Sequence, residues 1–431
     1  MKSRFLAAAL LASPVALAYP ASASAAAPAK FGDPVSVGDG ITIDPIMEAR
    51  VRWENVDTPA LDADAVTVRL RGGFEVKHAP SHLSFLAEAE ATGALVDDYN
   101  GLPFILTKAR PTHAIVPDAD NVELNRLQIQ YRTKELGLTV GRQRINLDDQ
   151  RWVGSVAWRQ NEQTFDAVRG EASLGPVMLD ATYADSQRTI YGNDAGPRTA
   201  YDGQFVFLGA GVKAGLVTVK GFAYLLDYDT KEQVLPLAVQ LADTQTYGAR
   251  AVAAFPLGKA VKLNLAASYA RQLNYKDNPF KYGVDYFAGE AGLAYDGWTL
   301  AGGYESLGSD AGHALQTPMA TLHKFNGWAD VFLTTPAAGL TDGYVGLSKV
   351  FPKLTAVPGL NFAVTWHTFH SEVGNVHYGD EWDASVGFKV RKVSILAKYA
   401  RYNADVTPVA LPPKPYEVDT HKFWLQAEYA F

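Results

Sequence analysis

Cysteine is absent from all 431 residues of this chain. An exported protein without thiols has neither a disulfide framework nor thiol chemistry, so closure and packing must hold it together. A basic excess is missing too: the formal net charge is −7, and removing Lys2 and Arg4 from the 39 basic residues widens the gap to the 46 acidic ones. That balance argues against nucleic acid as a partner. Long apolar runs are the third absence. Beyond the N-terminal leader no segment supplies the roughly 20 consecutive apolar residues that a membrane helix needs, so any membrane role must use strands. No Gly-x-Ser-x-Gly occurs and the 9 histidines are scattered without a nucleophile–base pairing, which weighs against a hydrolase. Nothing in the pattern asks for a metal or a cofactor.

What is present begins with MKSRFLAAALLASPVALAYPASASAAAPAK: Lys2 and Arg4, an apolar run too short and alanine-rich to span, then small-residue cleavage patterns ending at Ala18 and at Ala26. This reads as a secretory signal peptide over residues 1–26, with 27–431 as a single barrel domain. The chain is rich in glycine (37), tyrosine (21) and tryptophan (8), yet its mean hydropathy is only −0.08.

A period of two runs through it. In IMEARVRWEN, Met47, Ala49, Val51 and Trp53 oppose Glu48, Arg50, Arg52 and Glu54. In VTVRLRGGFEVK, Val66, Val68, Leu70, Phe74 and Val76 oppose Thr67, Arg69, Arg71, Glu75 and Lys77. LSFLAEAEAT sets Leu83, Phe85, Ala87 and Ala89 against Glu88 and Glu90, and NRLQIQYR sets Leu127, Ile129 and Tyr131 against Arg126, Gln128, Gln130 and Arg132. Such strands belong to a soluble sheet with its apolar face inward or to a membrane barrel with that face outward. Strand lengths of roughly 10 to 14 residues and aromatic residues near strand ends favour the barrel. The last strand, ending on Phe431, resembles the terminal signature read by the outer-membrane assembly machinery.

Counting gives about eighteen strands, an even number as a single-chain bacterial barrel requires. Short connections such as HAPS, TKE, SLGP, DG and RK alternate with long ones at 94–120, 147–162, 186–200, 229–243, 307–340 and 404–418. The expected fold is therefore all-β, a transmembrane antiparallel β-barrel with short periplasmic turns and long extracellular loops. A barrel of this size holds an aqueous lumen. Its inner wall would carry Arg50, Arg52, Arg69, Arg71, Glu88, Glu90, Arg126 and Arg132, with Lys262, Asp383, Lys389, Arg391, Lys398, Lys422 and Glu428 assigned inward further along. Two readings of that wall stay open: opposite charges satisfying one another across strands, or a pore lining that selects solutes.

Two of the long connections are unusual. GRQRINLDDQRWVGSVAWRQNEQTFDAVR carries Gly141, Arg142, Gln143, then Asp148, Asp149, Arg151, Val153, Gly154, Trp158, and finally Phe165, Asp166 and Arg169. TPMATLHKFNGWADVFLTTPAAGLTDGYVGLSKV carries His323, Phe325, Gly327, Trp328, Ala329 and Asp330. Together they resemble the alginate-export porin family of Gram-negative outer membranes. The resemblance implies an eighteen-stranded outer-membrane channel with loops folding toward the pore, and a polyuronate as the solute of the best-known member. Here the inferred wall mixes acids with bases, which supports the family more than it supports alginate as the solute.

Both segments fall on the extracellular side, so two loops could fold inward and meet. Arg144, Arg151, Arg159 and Arg169, opposed by Asp148, Asp149 and Asp166, are the candidates for a constriction, and the same charges could equally fasten the loop to the wall. Arg142 and Arg144 share parity with Leu138 and Val140, which demands a bulge or the end of the membrane strand. The expected function is passive diffusion or export of hydrophilic solutes, with sugar-acid or polyuronate-like anions among them. Its expected partners are a small hydrophilic solute, outer-membrane lipid and lipopolysaccharide, and the assembly machinery through Phe431. A barrel-borne enzyme and a structural or adhesive anchor are the alternatives.

Overall fold

The computed structural model describes residues 32–229, 242–408 and 412–430. The expected signal peptide and Phe431 lie outside the described residues. A short strand, β1 (Val35–Gly38), hairpins onto the first long one. The wall then runs β2 (Ile41–Asp57), β3 (Asp62–His78), β4 (Leu83–Asp98), β5 (Asn121–Arg132), β6 (Leu136–Gln143), β7 (Thr164–Leu174) and β8 (Val177–Arg188). It continues through β9 (Ala200–Ala214), β10 (Val217–Tyr228), β11 (Thr244–Leu257), β12 (Val261–Asn274), β13 (Gly283–Tyr295) and β14 (Trp298–Leu307). A two-residue pair, β15 (Ser309–Asp310) and β16 (His313–Ala314), decorates the next loop. The wall closes with β17 (Leu340–Val350), β18 (Asn361–His370), β19 (His377–Val390), β20 (Val393–Ala404) and β21 (Thr420–Ala430).

Sequential wall strands pair antiparallel, and β2 joins β21 from Glu48 with Ala430 to Asp57 with His421. The result is a closed 18-strand barrel. Closure leaves no edge, which is what hydrocarbon demands of a sheet, since an unpaired N–H or C=O there has no water to turn to. No helix among the described residues is long and apolar enough to cross a membrane.

The two-residue period decides which side chains face out. Leu70 is 54% exposed, Phe287 50% and Trp382 52%, and they belong to a continuous outward apolar belt. Water would not tolerate a surface of that extent, whereas bilayer hydrocarbon covers it. Trp53, Tyr247 and Tyr269 ring its long-loop end, while Tyr131, Tyr295 and Trp298 ring its turn end, as interfacial aromatics do. The two-residue Asp296-Gly297 connection has both residues at positive φ, 44° and 79°, matching the twist of the strands it joins. Arg391 is not on the inner wall as the alternation suggested. It occupies the turn between β19 and β20 with φ 56°. A register shift between β4 and β5 next to Glu88 leaves one extra residue on β5, so both Asn125 and Arg126 reach the same inward glutamate.

The inner face is less uniformly polar than alternation implies. Phe205 and Phe207 on β9, Phe222 and Tyr224 on β10, and Tyr286 on β13 point inward and pack with Ile145, Leu147, Val153, Leu315 and Met319 from two long connections. The upper lumen thus contains a hydrophobic core of its own. We expect Leu70→Arg, in the middle of β3 on the outward face, to cost about 2–4 kcal/mol of folding free energy in lipid vesicles. A folding titration showing no loss would contradict the bilayer-facing assignment.

Candidate pore constriction

The connections 144–163 and 308–339 fold into the barrel and hold each other. Gly154 N donates to the Met319 carbonyl at 2.9 Å and Thr321 N to the Gln150 carbonyl at 3.1 Å. Gln163 Nε2 bridges the carbonyls of Gly154 and Met319 at 2.9 and 3.0 Å. Gly154 is required at this crossing, because a Cβ there would overlap the Thr321 hydroxyl. Trp158 lies parallel to His323 with ring centroids 4.7 Å apart.

Each loop is then tied to the wall by buried charge. Arg159 NH1 donates to Glu54 Oε2 at 3.0 Å and its NH2 to Asp330 Oδ2 at 3.0 Å. Arg151 meets Glu305 at 2.7 Å, and donates to Thr317 and Asn326 of the second loop at 3.2 Å each. Arg50 reaches the carbonyls of Ala157, Trp158 and Arg159 at 3.2, 3.3 and 3.2 Å, while the Arg52 guanidinium lies 4.0 Å over the Trp158 ring. Glu162 is fully buried and accepts a bidentate pair from Arg144 and a hydrogen bond from Asn125 at 2.7 Å, with Arg71 at 3.6 Å. Burial alone would raise the Glu162 carboxyl, but Arg71 and Arg144 outweigh it and hold it down at about 2. A third connection contributes Asp118, which is fully buried and accepts from Gln160 N at 2.9 Å with Arg52 at 3.4 Å.

The second loop is seated by its own backbone. Asn326 and Gly327 have φ of 57° and 83°, which turns the next two N–H groups toward the wall. Trp328 N donates to Asp383 at 3.2 Å and Ala329 N to Glu381 at 2.7 Å. Gly327 is the only residue type that fits, since a Cβ would overlap the Glu381 carboxylate. Lys398 from β20 sits over Trp328 at 3.6 Å and Trp158 at 4.1 Å, and donates to His323 Nε2 at 2.7 Å. His323 must therefore carry its proton on Nδ1, which donates to Asp330 at 2.8 Å. Burial lowers the His323 ring to about 3. Burial would raise Asp330, yet His323, Lys422 and Arg159 hold it well below the carboxylate range.

These placements revise several expectations. Arg50, Arg52, Arg69, Arg71, Glu88 and Glu90 do point inward but are buried beneath the loops, so they face protein and not open lumen. Arg126 keeps 17% of its side chain exposed, and Arg132 lies at the turn end, paired with Glu171 at 2.5 Å. Asp166 does not oppose the loop arginines: its parity on β7 sends it outward, where Arg142 holds it bidentately at 2.8 and 2.7 Å. Arg142 thus keeps the outward parity of Leu138 and Val140, while Arg144, one residue past the strand end, turns in. Arg169 is a wall residue beside Glu171 at 3.0 Å, away from the loop. Asp148 and Asp149 reach across to Lys220 at 3.2 Å and Arg250 at 2.8 Å. Sequence reasoning passed over Glu162, Asp118, Glu305, Lys220 and Arg250. The last three were legible as single charges on inward parity in strands otherwise small or aromatic.

The family described as Alginate export matches residues 58–271. Over that stretch, just under half of its length, the chain is similar to the Alginate export family. The Gly141–Arg169 segment lies inside the match and the His323–Asp330 segment beyond it. No curated protein matches the chain by sequence. Solved structures resemble this barrel over nearly its whole length. Pseudomonas aeruginosa OpdK, solved with vanillate, has a TM-score of 0.69 at 14% identity, covering 90% of this chain and 98% of its own. Acinetobacter baumannii OccAB3 gives 0.67 at 14%, covering 90% and 99%, and Pseudomonas aeruginosa OpdO gives 0.66 at 15%, covering 90% and 97%. At these identities the likeness is one of fold.

Two tests follow from this geometry. Arg159→Gln leaves Glu54 and Asp330 short of a buried guanidinium, a loss of about 3–5 kcal/mol for a broken buried pair. We expect the loops to loosen inside an intact barrel, seen as protease cleavage between residues 144 and 163, and resistance equal to the parent would contradict the fastening role. The second test is pH. His323 is lowered in the folded state from 6.5 to about 3, so the released state binds more protons across that window. Loop seating is fully present above pH 6.5 and weakens as pH falls toward 3, by about 2 kcal/mol at pH 5. Larger conductance steps should become more frequent between pH 7 and 5, and His323→Gln should abolish that dependence.

Proposed function

We propose that this chain is a passive outer-membrane channel for hydrophilic solutes, with small carboxylates of the sugar-acid kind among them. The observation that carries the reading is a closed barrel with an apolar outer belt, its lumen narrowed by two interlocked loops. A barrel built as an anchor has no need of an inner constriction, and among the described residues no catalytic constellation accompanies it. The charged groups that keep contact with water inside the barrel include Arg126, Arg144, Arg169 and Lys220 as well as Glu48, Glu171 and Glu428. Such a mixed lining favours solutes that can exchange hydrogen bonds with both signs over a polyanion alone. The vanillate in the OpdK structure is a small carboxylate of compatible chemistry.

The membrane partners are lipid around the apolar belt and, at the long-loop rim, lipopolysaccharide facing ion pairs such as Arg142 with Asp166 and Arg271 with Asp285. We read Phe431 as the handle for the assembly machinery, supported by the alternation of β21 that precedes it.

Reconstitution in a planar bilayer tests the reading. We expect stepwise ohmic current in potassium chloride, and liposome swelling in small neutral and anionic sugars. A folded barrel that stays silent in both assays would overturn the channel and favour the enzyme or anchor.

A further inference from the structure

We propose that Asp148 and Asp149 set the charge selectivity of this channel by occupying, as tethered carboxylates, a two-cation site on the barrel wall formed by Lys220 and Arg250. The inference rests on the channel reading above.

Lys220 of β10 and Arg250 of β11 are direct cross-strand partners, both inward. Lys220 Nζ lies 3.2 Å from Asp148 and 2.8 Å from Asp180. The Asp180 contact crosses β9, and it exists because residue 209 is glycine: a Cβ there would overlap both side chains. Arg250 NH1 meets Asp149 at 2.8 Å and donates to Ser268 at 2.9 Å, while its Nε has no hydrogen-bond partner. Lys324 Nζ donates to the Asp149 carbonyl at 2.9 Å, and Tyr224 OH to Asp148 Oδ2 at 3.5 Å.

Unlike Arg151 and Arg159, these groups are not sealed. The Lys220, Asp148, Arg250 and Asp149 side chains retain 15, 18, 11 and 13% exposure. The loop backbone is anchored next to them, since Leu147 N donates to the Val153 carbonyl at 3.0 Å and Gln150 N to the Leu147 carbonyl at 2.8 Å. What can move is the pair of aspartate side chains. Asp148 and Gln150 both hold left-handed φ, 50° and 70°, which presents the two carboxylates at the tip of a tight turn. A solute carboxylate arriving at Lys220 or Arg250 would replace one charge-assisted hydrogen bond with another, so the exchange is close to balanced as the displaced aspartate turns into the wet lumen. Around this point three cations (Lys220, Arg250, Lys324) face four carboxylates (Asp148, Asp149, Asp180 and Glu290). Removing the two loop charges leaves a cationic surplus.

The test uses the full-length channel in planar bilayers, with glucuronate as the anionic probe and glucose as the neutral one. In Asp148→Asn/Asp149→Asn we expect the chloride-to-potassium permeability ratio to rise several-fold. The flux of glucuronate relative to glucose should rise likewise. Adding Lys220→Gln/Arg250→Gln should remove both gains. Heat-modifiable gel migration reports whether each variant remains a folded barrel. An open, folded asparagine variant with the parent's selectivity overturns the inference and leaves the channel reading standing, as does a gain that survives the loss of Lys220 and Arg250. A parent protein that passes no current at all defeats both.

Discussion

A guanidinium keeps its proton in any protein interior, so once it loses water it must be met by carboxylates or carbonyls. The lumen of this barrel is organised around that requirement. Arg159 needs Glu54 from β2 and Asp330 from the second loop; Arg151 needs Glu305 from β14; Arg144 needs Glu162, whose other partners are Asn125 and Arg71 on the wall. Arg144 and Glu162 close the two ends of one loop and the other pairs join segments distant in sequence, so a loop that swung outward would leave several charges stranded together. Desolvating such pairs costs nearly as much as their attraction returns, so their main effect is to select one arrangement of the loops. The net adhesion comes from the core beside them, where Ile145, Val153 and Met319 pack on the inward aromatics of β9, β10 and β13.

The bilayer supplies the second constraint, and it made most of the fold legible. Because hydrocarbon covers one face of every strand, residues such as Leu70, Ile129 and Leu425 had to alternate with polar neighbours, and that alternation survives in the chain as a period of two, interrupted at bulges such as the one beside Glu88. All eighteen strands, their even number and the short turns could be read from it. The leucine or valine of a soluble sheet would have produced the same local pattern; strand length and the aromatic girdle separated the two.

What the alternation did not carry is anything that depends on the loops. β9 and β10 show apolar residues on both faces, at Phe205, Phe207, Phe222 and Tyr224, because the inner face there meets folded loop in place of water. Glu162 and Asp118 look like ordinary loop acids in sequence, and only their partners across the lumen make them structural. The two family segments were recognisable as patterns, yet their meaning was mutual: Gly154 is small for Thr321, Trp158 is flat against His323, and Asp330 awaits Arg159. Asp166 shows the opposite failure, a motif residue that parity on its own strand sends to the outside.

This arrangement separates the charges that hold the constriction from those that can act on a solute. A buried pair such as Arg159 with Glu54 contributes little field to the lumen, because each charge is cancelled within 3.0 Å and neither side can turn away. Selectivity must come from pairs that remain wet and can exchange partners. Their number is small, and Lys220 and Arg250 are each the single charge on the inward face of their strand, where one lysine or arginine dominates the local potential. The family segment itself spans both classes within three residues. Arg151 is locked on Glu305 and Asn326, while Asp148 and Asp149 just before it stand against the open wall. Substitutions at the first kind of position should therefore alter whether the loops are seated. Those at the second kind should alter which ion passes, and a single turn of chain is enough to separate the two effects.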